Sequence, residues 1–210
     1  SLKIAFLTAC MSLVMGMLAS LALVRLGRFR GKLSFAGMIT APLVMPEVIT
    51  GLSLLLLFVA MEKSFGWPGG RGMLTIWIAH VTFSTAFITV ILSSRLKEID
   101  RSIEEAGMDL GASPLKVFFV ITIPIITPAL LAAWLLAFTL SLDDLVIASF
   151  VSGPGSTTLP MKVFSSVRLG ISPKINALAS IIIALVSLGV LTAGWIVRGW
   201  EMKKTLGINQ

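Results

Sequence analysis

Residues 95–124 read RLKEIDRSIEEAGMDLGASPLKVFFVITIP and separate two apolar segments, 73–94 and 125–150. Each apolar segment exceeds the roughly 20 residues that an α-helix needs to cross a hydrocarbon core about 30 Å thick. Seven of the first eleven residues of the quoted stretch are charged, and charged side chains are costly inside a bilayer. The stretch is therefore predicted to form a loop outside the membrane, between two spans.

Signals inside this loop predict two short helices joined by a bend. Ser102-Ile-Glu-Glu105 has the spacing of a capping box, which predicts a helix that starts just after Ser102. Gly111 is expected to end that helix. Ser113-Pro114 is expected to begin another, since proline is favoured at the first helical position. The second helix is expected to run on as far as Pro124. An ordinary surface loop is the alternative from spacing alone.

The composition places the whole chain in the membrane class. Of 210 residues, 56% are hydrophobic and 13% are charged, and the mean hydropathy is +0.98. Soluble domains carry about 25% charged residues. The sequence therefore predicts an all-α, polytopic transmembrane helical bundle that forms a single domain over 1–210. The five predicted spans are 4–24, 34–61, 73–94, 125–150 and 176–197.

Several functional classes are excluded by the residue counts. A single cysteine, Cys10, rules out an internal disulfide framework and a multi-cysteine zinc site, and we expect it to be a small buried residue. A single histidine, His80, leaves no plausible Ser-His-Asp set, so we predict no catalytic residues and no metal site. The net charge of +7 resides in the joints between apolar runs, which indicates topology and not nucleic-acid binding.

The distribution of basic residues predicts the orientation. One side of the membrane collects eleven Lys and Arg residues, at 25–32, 95–124 and the C-terminus, and the other side collects six. The positive-inside rule then places the N-terminus outside and the C-terminus in the cytoplasm. An outside N-terminus that starts at Ser1, with no leader sequence, leads us to expect an earlier span that this chain lacks.

The loop at 95–124 resembles the EAA loop of the membrane subunits of binding-protein-dependent ABC importers. The resemblance rests on Glu105-Ala106-Gly107, Gly111 and the Ile-Thr-Ile run that ends at Pro124, in the family's spacing. Gly107 replaces the second Ala, and Ile replaces Leu before Pro124. The resemblance implies a coupling helix that docks in a groove of a cytoplasmic ATPase.

Further segments resemble the polyamine branch of that family, and the likeness is greatest to the permease of the putrescine system. They include Met45-Pro-Glu-Val-Ile-Thr-Gly51, Ser141-Leu-Asp-Asp144 and Ser149-Phe-Val-Ser-Gly-Pro154. The resemblance implies a type I importer permease of the bacterial inner membrane that moves polyamines inward and has no catalytic or cofactor site of its own. It also implies a second permease subunit, two ATPase subunits that hold ATP and Mg, and a periplasmic polyamine-binding protein.

Three carboxylates in or near apolar spans need a physical reason. An acid at the centre of a membrane helix costs about 2.5–3.5 kcal/mol on insertion scales. Glu47, Asp143 and Asp144 fall at such positions, with no Lys or Arg in the span interiors. An incoming cation, or a cationic residue of a partner chain, would complete them. The alternative for each acid is a protonated or capped residue that serves helix packing.

Helical spacing predicts polar stripes that line a path for a cation. The stripes are Ala133, Ala137, Ser141, Asp144 and Ala148; Thr40, Glu47, Thr50 and Gly51, beside a helix break at Pro46; and Thr82, Thr85, Thr89 and Ser93. Trp134 is a candidate apolar wall for an aliphatic diamine, although a packing role is the stronger expectation for Trp134, for His80 and for the threonines.

A rival hypothesis is a self-sufficient proton- or ion-coupled secondary carrier, or a channel, for organic cations. It would use Asp143, Asp144 and His80 as a relay. It accounts for the acids equally well but leaves the capped helices of 95–124 unexplained. A purely structural membrane anchor is the third possibility.

Overall fold

The computed structural model describes residues 1–27 and 29–168, together with a few separate positions between 173 and 188. Regular secondary structure in residues 1–27 and 29–168 is helical throughout. Residues 1–161 form one compact unit, in which the sites described below lie. The helices are α1 Leu2–Val24, α2 Lys32–Val44, α3 Glu47–Phe65, α4 Met73–Glu98, α5 Arg101–Asp109, α6 Pro114–Val117, α7 Ile123–Asp143, α8 Val146–Val151 and α9 Leu159–Arg168, with a π-helical turn, Phe118–Thr122, between α6 and α7.

Within the described residues, four helical stretches are long and apolar enough to cross a membrane. They are Leu2–Val24, Glu47–Phe65, Met73–Glu98 and Pro114–Asp143, whereas α2 is apolar but shorter. The spans predicted at 4–24 and 73–94 are confirmed. The span predicted at 176–197 lies largely outside the described residues.

The second predicted span is broken in two. Met45 has an extended backbone (φ −79°, ψ 135°), and Pro46 precedes the first residue of α3. Proline lacks an N–H and disfavours a helical conformation in the residue before it, which favours a break at this point. The predicted break at Pro46 is confirmed, but Thr40 consequently lies on a different helix from Glu47, and the stripe drawn through both residues was wrong.

The fourth predicted span, 125–150, is also wrong at both ends. It starts earlier, because α6, the π-turn and α7 form one continuous helical stretch from Pro114 to Asp143. Pro124 does not interrupt this stretch, and the π-helical turn lies directly before it. The stretch ends where Asp144 becomes extended (φ −61°, ψ 124°), and α8 follows. The stripe predicted through Ala148 therefore ends at the break.

Helices α1, α4 and α7 pack together to form the main core. Small residues allow this close contact, among them Ala9 on α1 and Ala133 and Ala137 on α7, all fully buried. Gly16 is the tightest point, since a Cβ there would lie 2.5 Å from Cγ2 of Ile88. Close approach through small residues is the usual basis of helix association in membranes.

Helices α5 and α6, residues 101–117, form a bent unit that we call the elbow. The predicted bend is confirmed: Gly111 has φ +85°, and its N–H donates to the Met108 carbonyl (2.8 Å). Ser113 caps α6, as predicted. The predicted capping box was wrong, because α5 begins two residues earlier, where Oδ1 of Asp100 accepts the N–H of Ser102 (3.0 Å).

Contacts at the two ends of the unit show which connecting segments lie together. At one end, Arg25, in the first basic joint, is bonded to Glu104 of the elbow, so these two segments share a side. At the other end, the hydroxyl of Thr75 donates to the Val151 carbonyl (2.7 Å), and Oγ of Ser1 accepts the N–H of Leu159 (2.6 Å).

Candidate functional site

The acidic residues of the apolar spans lie at the two helix breaks. Glu47 is the first residue of α3, directly after Pro46. Asp143 is the last residue of α7, and Asp144 is the first residue of the extended link to α8. Helix starts offer backbone N–H groups and a partial positive charge, which favour nearby carboxylates.

Asp144 caps the start of α8 with both oxygen atoms. Its Oδ1 accepts the N–H of Ile147 (3.2 Å), and its Oδ2 accepts the N–H of Ala148 (2.7 Å). Two backbone N–H groups at the break are thereby satisfied. A large part of the hydrogen-bonding capacity of Asp144 is thus used inside the chain.

His80 joins α4 to both sides of this break. Its Nε2 lies 3.1 Å from Oδ2 of Asp144, and its Nδ1 lies 2.7 Å from Oγ of Ser141. The His80 and Asp144 side chains are only 2% and 8% exposed. A neutral imidazole with its hydrogen on Nε2 donates to Asp144 and accepts from Ser141. His80 is thus buried and hydrogen-bonded through both ring nitrogens, which agrees with the packing role expected for it.

Helix α3 contacts α8 close to the acidic residues. Gly51 of α3 faces Phe150 and Ile147, and a Cβ at Gly51 would lie 2.7 Å from Cδ2 of Phe150. Glu47 lies one helical turn before Gly51. Asp143 and Asp144 lie four and three residues before Ile147, at the extended link. All three carboxylates are therefore close in sequence to a single helix contact.

Glu47 and Asp143 differ from Asp144 in their surroundings. Both are exposed on the surface of the chain, whereas Asp144 is mostly buried. Among the described residues, neither Glu47 nor Asp143 has an ion pair or a hydrogen bond from another side chain. These two carboxylates are the ones that remain free to meet a cation.

Trp134 lies away from the acids and packs between helices. It is nine residues before Asp143 on α7, about 14 Å along the helix. Its Nε1 donates to Sγ of Cys10 (3.4 Å), and its ring stacks on Phe138 and meets the edge of Phe6. Cys10 is only partly buried, and its sulfur serves as a hydrogen-bond acceptor between α1 and α7.

Three threonines of the predicted stripe on α4 satisfy their hydroxyl groups on their own helix. The hydroxyls of Thr82, Thr85 and Thr89 donate to the carbonyls four residues earlier, at 2.7–2.9 Å. Such bonds let a hydroxyl lie in an apolar environment without a partner from another helix. Oγ of Ser93 is buried and has no hydrogen-bond partner among the described residues.

The residues of the EAA resemblance divide between the two faces of the elbow. Glu105, Ala106 and Gly111 are exposed, whereas Gly107 is buried. A Cβ at Gly107 would lie 2.8 Å from Cδ1 of Ile121 in the π-turn. The small size of Gly107 therefore serves the packing of the elbow against its own chain. Pro124 is exposed at the start of α7.

Two residues that position the elbow, Asp100 and Glu104, were not predicted from the sequence. Asp100 is the cap of α5, and hydrogen bonds from Ser102 lower the pKa of its carboxyl. Glu104, one position before the EAA-like Glu105, binds both Arg25 and Thr122. An acid next to a motif acid carries no distinguishing sequence signal.

No group of His, Cys, Asp and Glu residues able to hold a metal ion occurs in the described part of the chain.

One protein family, described as the inner membrane component of binding-protein-dependent transport systems, matches residues 12–201. The chain belongs to this family. It is a membrane-spanning permease subunit of an ABC importer of the bacterial inner membrane, and ATP hydrolysis takes place on a separate subunit.

Two relatives of this inner membrane component are similar over most of its length. The chain is 63% identical to the putrescine transport system permease protein PotI of Escherichia coli (strain K12), over 210 residues that make up all of this chain and 75% of that protein. It is 41% identical to the spermidine/putrescine transport system permease protein PotC of Haemophilus influenzae, over 88% of this chain and 69% of that protein.

Solved structures establish the fold of this inner membrane component. A chain of the MetNI methionine ABC transporter, in an inward-facing conformation, matches with a TM-score of 0.71 and 17% identity, over 94% of this chain and 91% of that chain. A chain of an amino acid ABC transporter matches with a TM-score of 0.60 and 18% identity, over 91% and 86% of the two chains. The predicted all-α bundle of the type I importer permease kind is confirmed.

Proposed function

We propose that this permease subunit carries polyamines, putrescine foremost, through an ATP-driven importer. The observation that carries the proposal is the 63% identity to a putrescine permease over the whole chain. The 41% identity to a spermidine/putrescine permease supports the same class of substrate. The chemistry of the helix breaks, with carboxylates and no free cation among the described residues there, suits an organic dication.

The exposed carboxylates are the proposed contacts for the substrate. A diamine has an ammonium group at each end, and hydrogen bonds between an ammonium and a carboxylate are about twice as strong as neutral ones. Glu47 and Asp143 supply such acceptors at the two breaks. Asp144 and Ser141, held by His80, keep the second break in place and form part of the wall. Trp134 supports the α1–α7 contact behind the path.

Neutralising either exposed acid tests this assignment in the complete importer. A hydrogen bond to a charged group contributes about 1.5–3 kcal/mol, so Glu47→Gln and Asp143→Asn should each raise the half-saturating putrescine concentration about tenfold or more. The measurement is uptake of radiolabelled putrescine into membrane vesicles, with spermidine as competitor. Glu62→Gln is the matched control, because Glu62 is an exposed acid near the other end of α3. Equal kinetics for all three variants would refute the path.

The elbow is the proposed contact with the ATPase. The full assembly that we propose contains a second permease subunit, two cytoplasmic ATPase subunits that hold ATP and Mg, and a periplasmic polyamine-binding protein. Within the segment 95–124, the exposed residues Glu105, Ala106 and Gly111 lie on the side of the elbow that is free to meet a partner. Closure of the ATPases would move the elbow as a rigid body and switch the path from inward to outward access.

Two glycines with the same backbone conformation provide a test of coupling. Gly111 ends α5 and Gly66 ends α3, with φ of +85° and +68°, and neither has other atoms near the Cβ position. Alanine at either place adds about 1–2 kcal/mol of backbone strain. Gly111→Ala should reduce ATPase binding and uptake, whereas Gly66→Ala, on the opposite side of the membrane, should not. The same ATPase binding by both variants would contradict the proposal.

The carrier hypothesis makes an opposite prediction for the chain alone. Asp144 and His80 form a buried pair, which an ion relay would require, but Asp144 is also occupied by two backbone N–H groups. In liposomes that contain only this chain, we expect no uptake of putrescine along a proton gradient. Concentrative uptake without an ATPase would establish the carrier in place of the importer subunit.

A further inference from the structure

Glu104 links the elbow to two membrane helices through one oxygen atom. Its Oε1 accepts a hydrogen bond from Nη2 of Arg25 (3.0 Å) and another from the hydroxyl of Thr122 (2.9 Å). Arg25 ends α1, and Thr122 is the last residue of the π-turn that leads into α7. The side chains of Arg25 and Glu104 are 18% and 17% exposed, so water screens this pair only partly.

Thr122 uses its hydroxyl differently from most threonines of the described helices; Thr75, which donates to the Val151 carbonyl, is another that bonds to a different helix. A threonine in a helix ordinarily donates its hydroxyl hydrogen to the carbonyl four residues earlier. Thr122 instead donates to Glu104 of the elbow, on another helix. Threonines that follow the ordinary pattern are Thr40, Thr50, Thr82, Thr85, Thr89, Thr127 and Thr139.

A second polar bond joins the elbow to the same end of α1. Nη2 of Arg101, the first residue of α5, donates to the carbonyl of Val24 (3.0 Å). The last carbonyls of a helix have no partner within the helix, so this bond satisfies one of them. Arg101 and Glu104 are three residues apart on α5 and therefore act from one face.

Apolar packing fixes the same face of α5 to the π-turn. Gly107 follows Glu104 by three residues and lies against Val117 and Ile121. Glu105 lies about 100° further round the helix and is exposed. Both glutamates border the groove between α1 and the elbow, but only Glu104 is bonded to Arg25 and Thr122 among the described residues, whereas Glu105 is left exposed.

A groove lies beside Glu104, so the contact between the elbow and α1 at this place depends on polar bonds more than on close packing. A groove of about 1110 Å³ lies between α1, the elbow and the start of α7, and Glu104 is on its wall together with Leu18, Met108 and Phe119. Close-packed side chains do not fill this space, so they cannot by themselves force α1 to follow the elbow.

We propose that Glu104 is a positioning residue that transmits movement of the elbow to α1 and α7 at the same time. The inference rests on the coupling role proposed above for the elbow. Displacement of α5 pulls on Arg25 and Thr122 through a single carboxylate oxygen, so the ends of two spans move together. Without this carboxylate, the elbow still binds the ATPase through its exposed face, but the bond from Arg101 to Val24 is left to join it to α1, and less of its movement reaches α1 and α7.

The experiment uses the complete importer in nanodiscs, with its partner permease, ATPase and binding protein. Glu104→Gln keeps the shape of the side chain and removes its charge. We expect normal assembly and ATPase activity, with putrescine transported per ATP hydrolysed reduced at least about fivefold, the lower range of coupling between sites. Thr122→Val should give a smaller loss in the same ratio. The charge-exchanged pair Arg25→Glu with Glu104→Arg should recover at least half of the loss.

Glu98→Gln is the matched control. It removes an exposed pair between Arg95 and Glu98 (2.6 Å) at the end of α4, outside the elbow, with side chains 44% and 59% exposed. Surface pairs contribute little, so the transport ratio should stay unchanged. An unchanged ratio in Glu104→Gln overturns the inference, and so does loss of assembly in both Glu104→Gln and Thr122→Val. Failure of the proposed coupling role of the elbow can be distinguished from failure of this inference. If the elbow does not bind the ATPase, Gly111→Ala and Gly66→Ala will bind the ATPase equally.

Discussion

Removal of the Asp144 side chain should destabilise the protein far more than removal of the side chain next to it. Asp144→Ala deletes the cap of α8 and the partner of His80, whereas Asp143→Ala deletes an exposed carboxylate with no side-chain partner among the described residues. The two substitutions remove the same atoms from adjacent positions, so the comparison isolates the contacts.

The magnitude follows from the bonds that are lost. A helix cap of this kind contributes about 1 kcal/mol. A side-chain hydrogen bond between membrane helices contributes about 0.6 kcal/mol on average. Asp144→Ala should therefore lower the free energy of unfolding by about 1.6 kcal/mol, which corresponds to a fall in Tm of about 3–6 °C for a chain of this size. Asp143→Ala should stay within about 0.5 kcal/mol, as surface changes usually do.

Thermal unfolding of the purified importer in nanodiscs measures both shifts. His80→Ala, alone and combined with Asp144→Ala, completes a double-mutant cycle. Because the two side chains are bonded to each other, the double variant should lose less than the sum of the single losses. Equal shifts for Asp143→Ala and Asp144→Ala, or fully additive losses in the cycle, would refute the role given to Asp144.

Further outcomes concern packing and pH. Gly107→Leu should disturb the elbow, because even a Cβ there lies 2.8 Å from Cδ1 of Ile121; limited proteolysis should then cut between α5 and the π-turn faster than in Ala106→Leu, which alters an exposed position. Gly51→Leu should push α3 away from α8 and abolish uptake, whereas membrane insertion, measured by fractionation, should persist. The pKa of Asp100 is lowered below its ordinary value of 3.8 by hydrogen bonds from the Ser102 N–H and hydroxyl, so the cap is intact above pH 3.8 and is lost as the pH falls through the lowered pKa. NMR of the elbow amides should show α5 fraying in that acid range, and Asp100→Asn should remove the dependence.

Composition and local signals were sufficient for the class and for the bend in the elbow. The apolar runs identify membrane helices because a span needs a known length. Gly111 and Ser113-Pro114 determine their own conformations, so the bend needs no information from the rest of the chain. The break at Pro46 is local for the same reason.

The break at Asp144 was beyond sequence reasoning because no helix-breaking residue marks it. Leu-Asp-Asp-Leu is compatible with a continuing helix, and the bond between Asp144 and His80, which lies 64 residues away, exists only in the folded protein. The start of α5 was ambiguous for a different reason. Asp100 and Ser102 are both favoured caps, and the earlier start brings Arg101 into the helix, from where it reaches Val24.

The different contacts of Glu104 and Glu105 depend on where each side chain lies around the axis of α5. Sequence spacing locates the EAA-like pattern but not the direction in which each side chain points. That direction became known only with the position of α1, whose end supplies Arg25.

The π-helical turn at Phe118–Thr122 makes chain length critical at this place. Such a turn holds one residue more than the α-helical turn that would replace it. Deletion of a single residue there would restore regular α-helix and swing everything before it by about 100° around the axis of α7. The elbow would then face another direction, with Thr122 no longer opposite Glu104. Natural variants should therefore tolerate insertions and deletions in the loop at 66–72 and exclude them from 118–122.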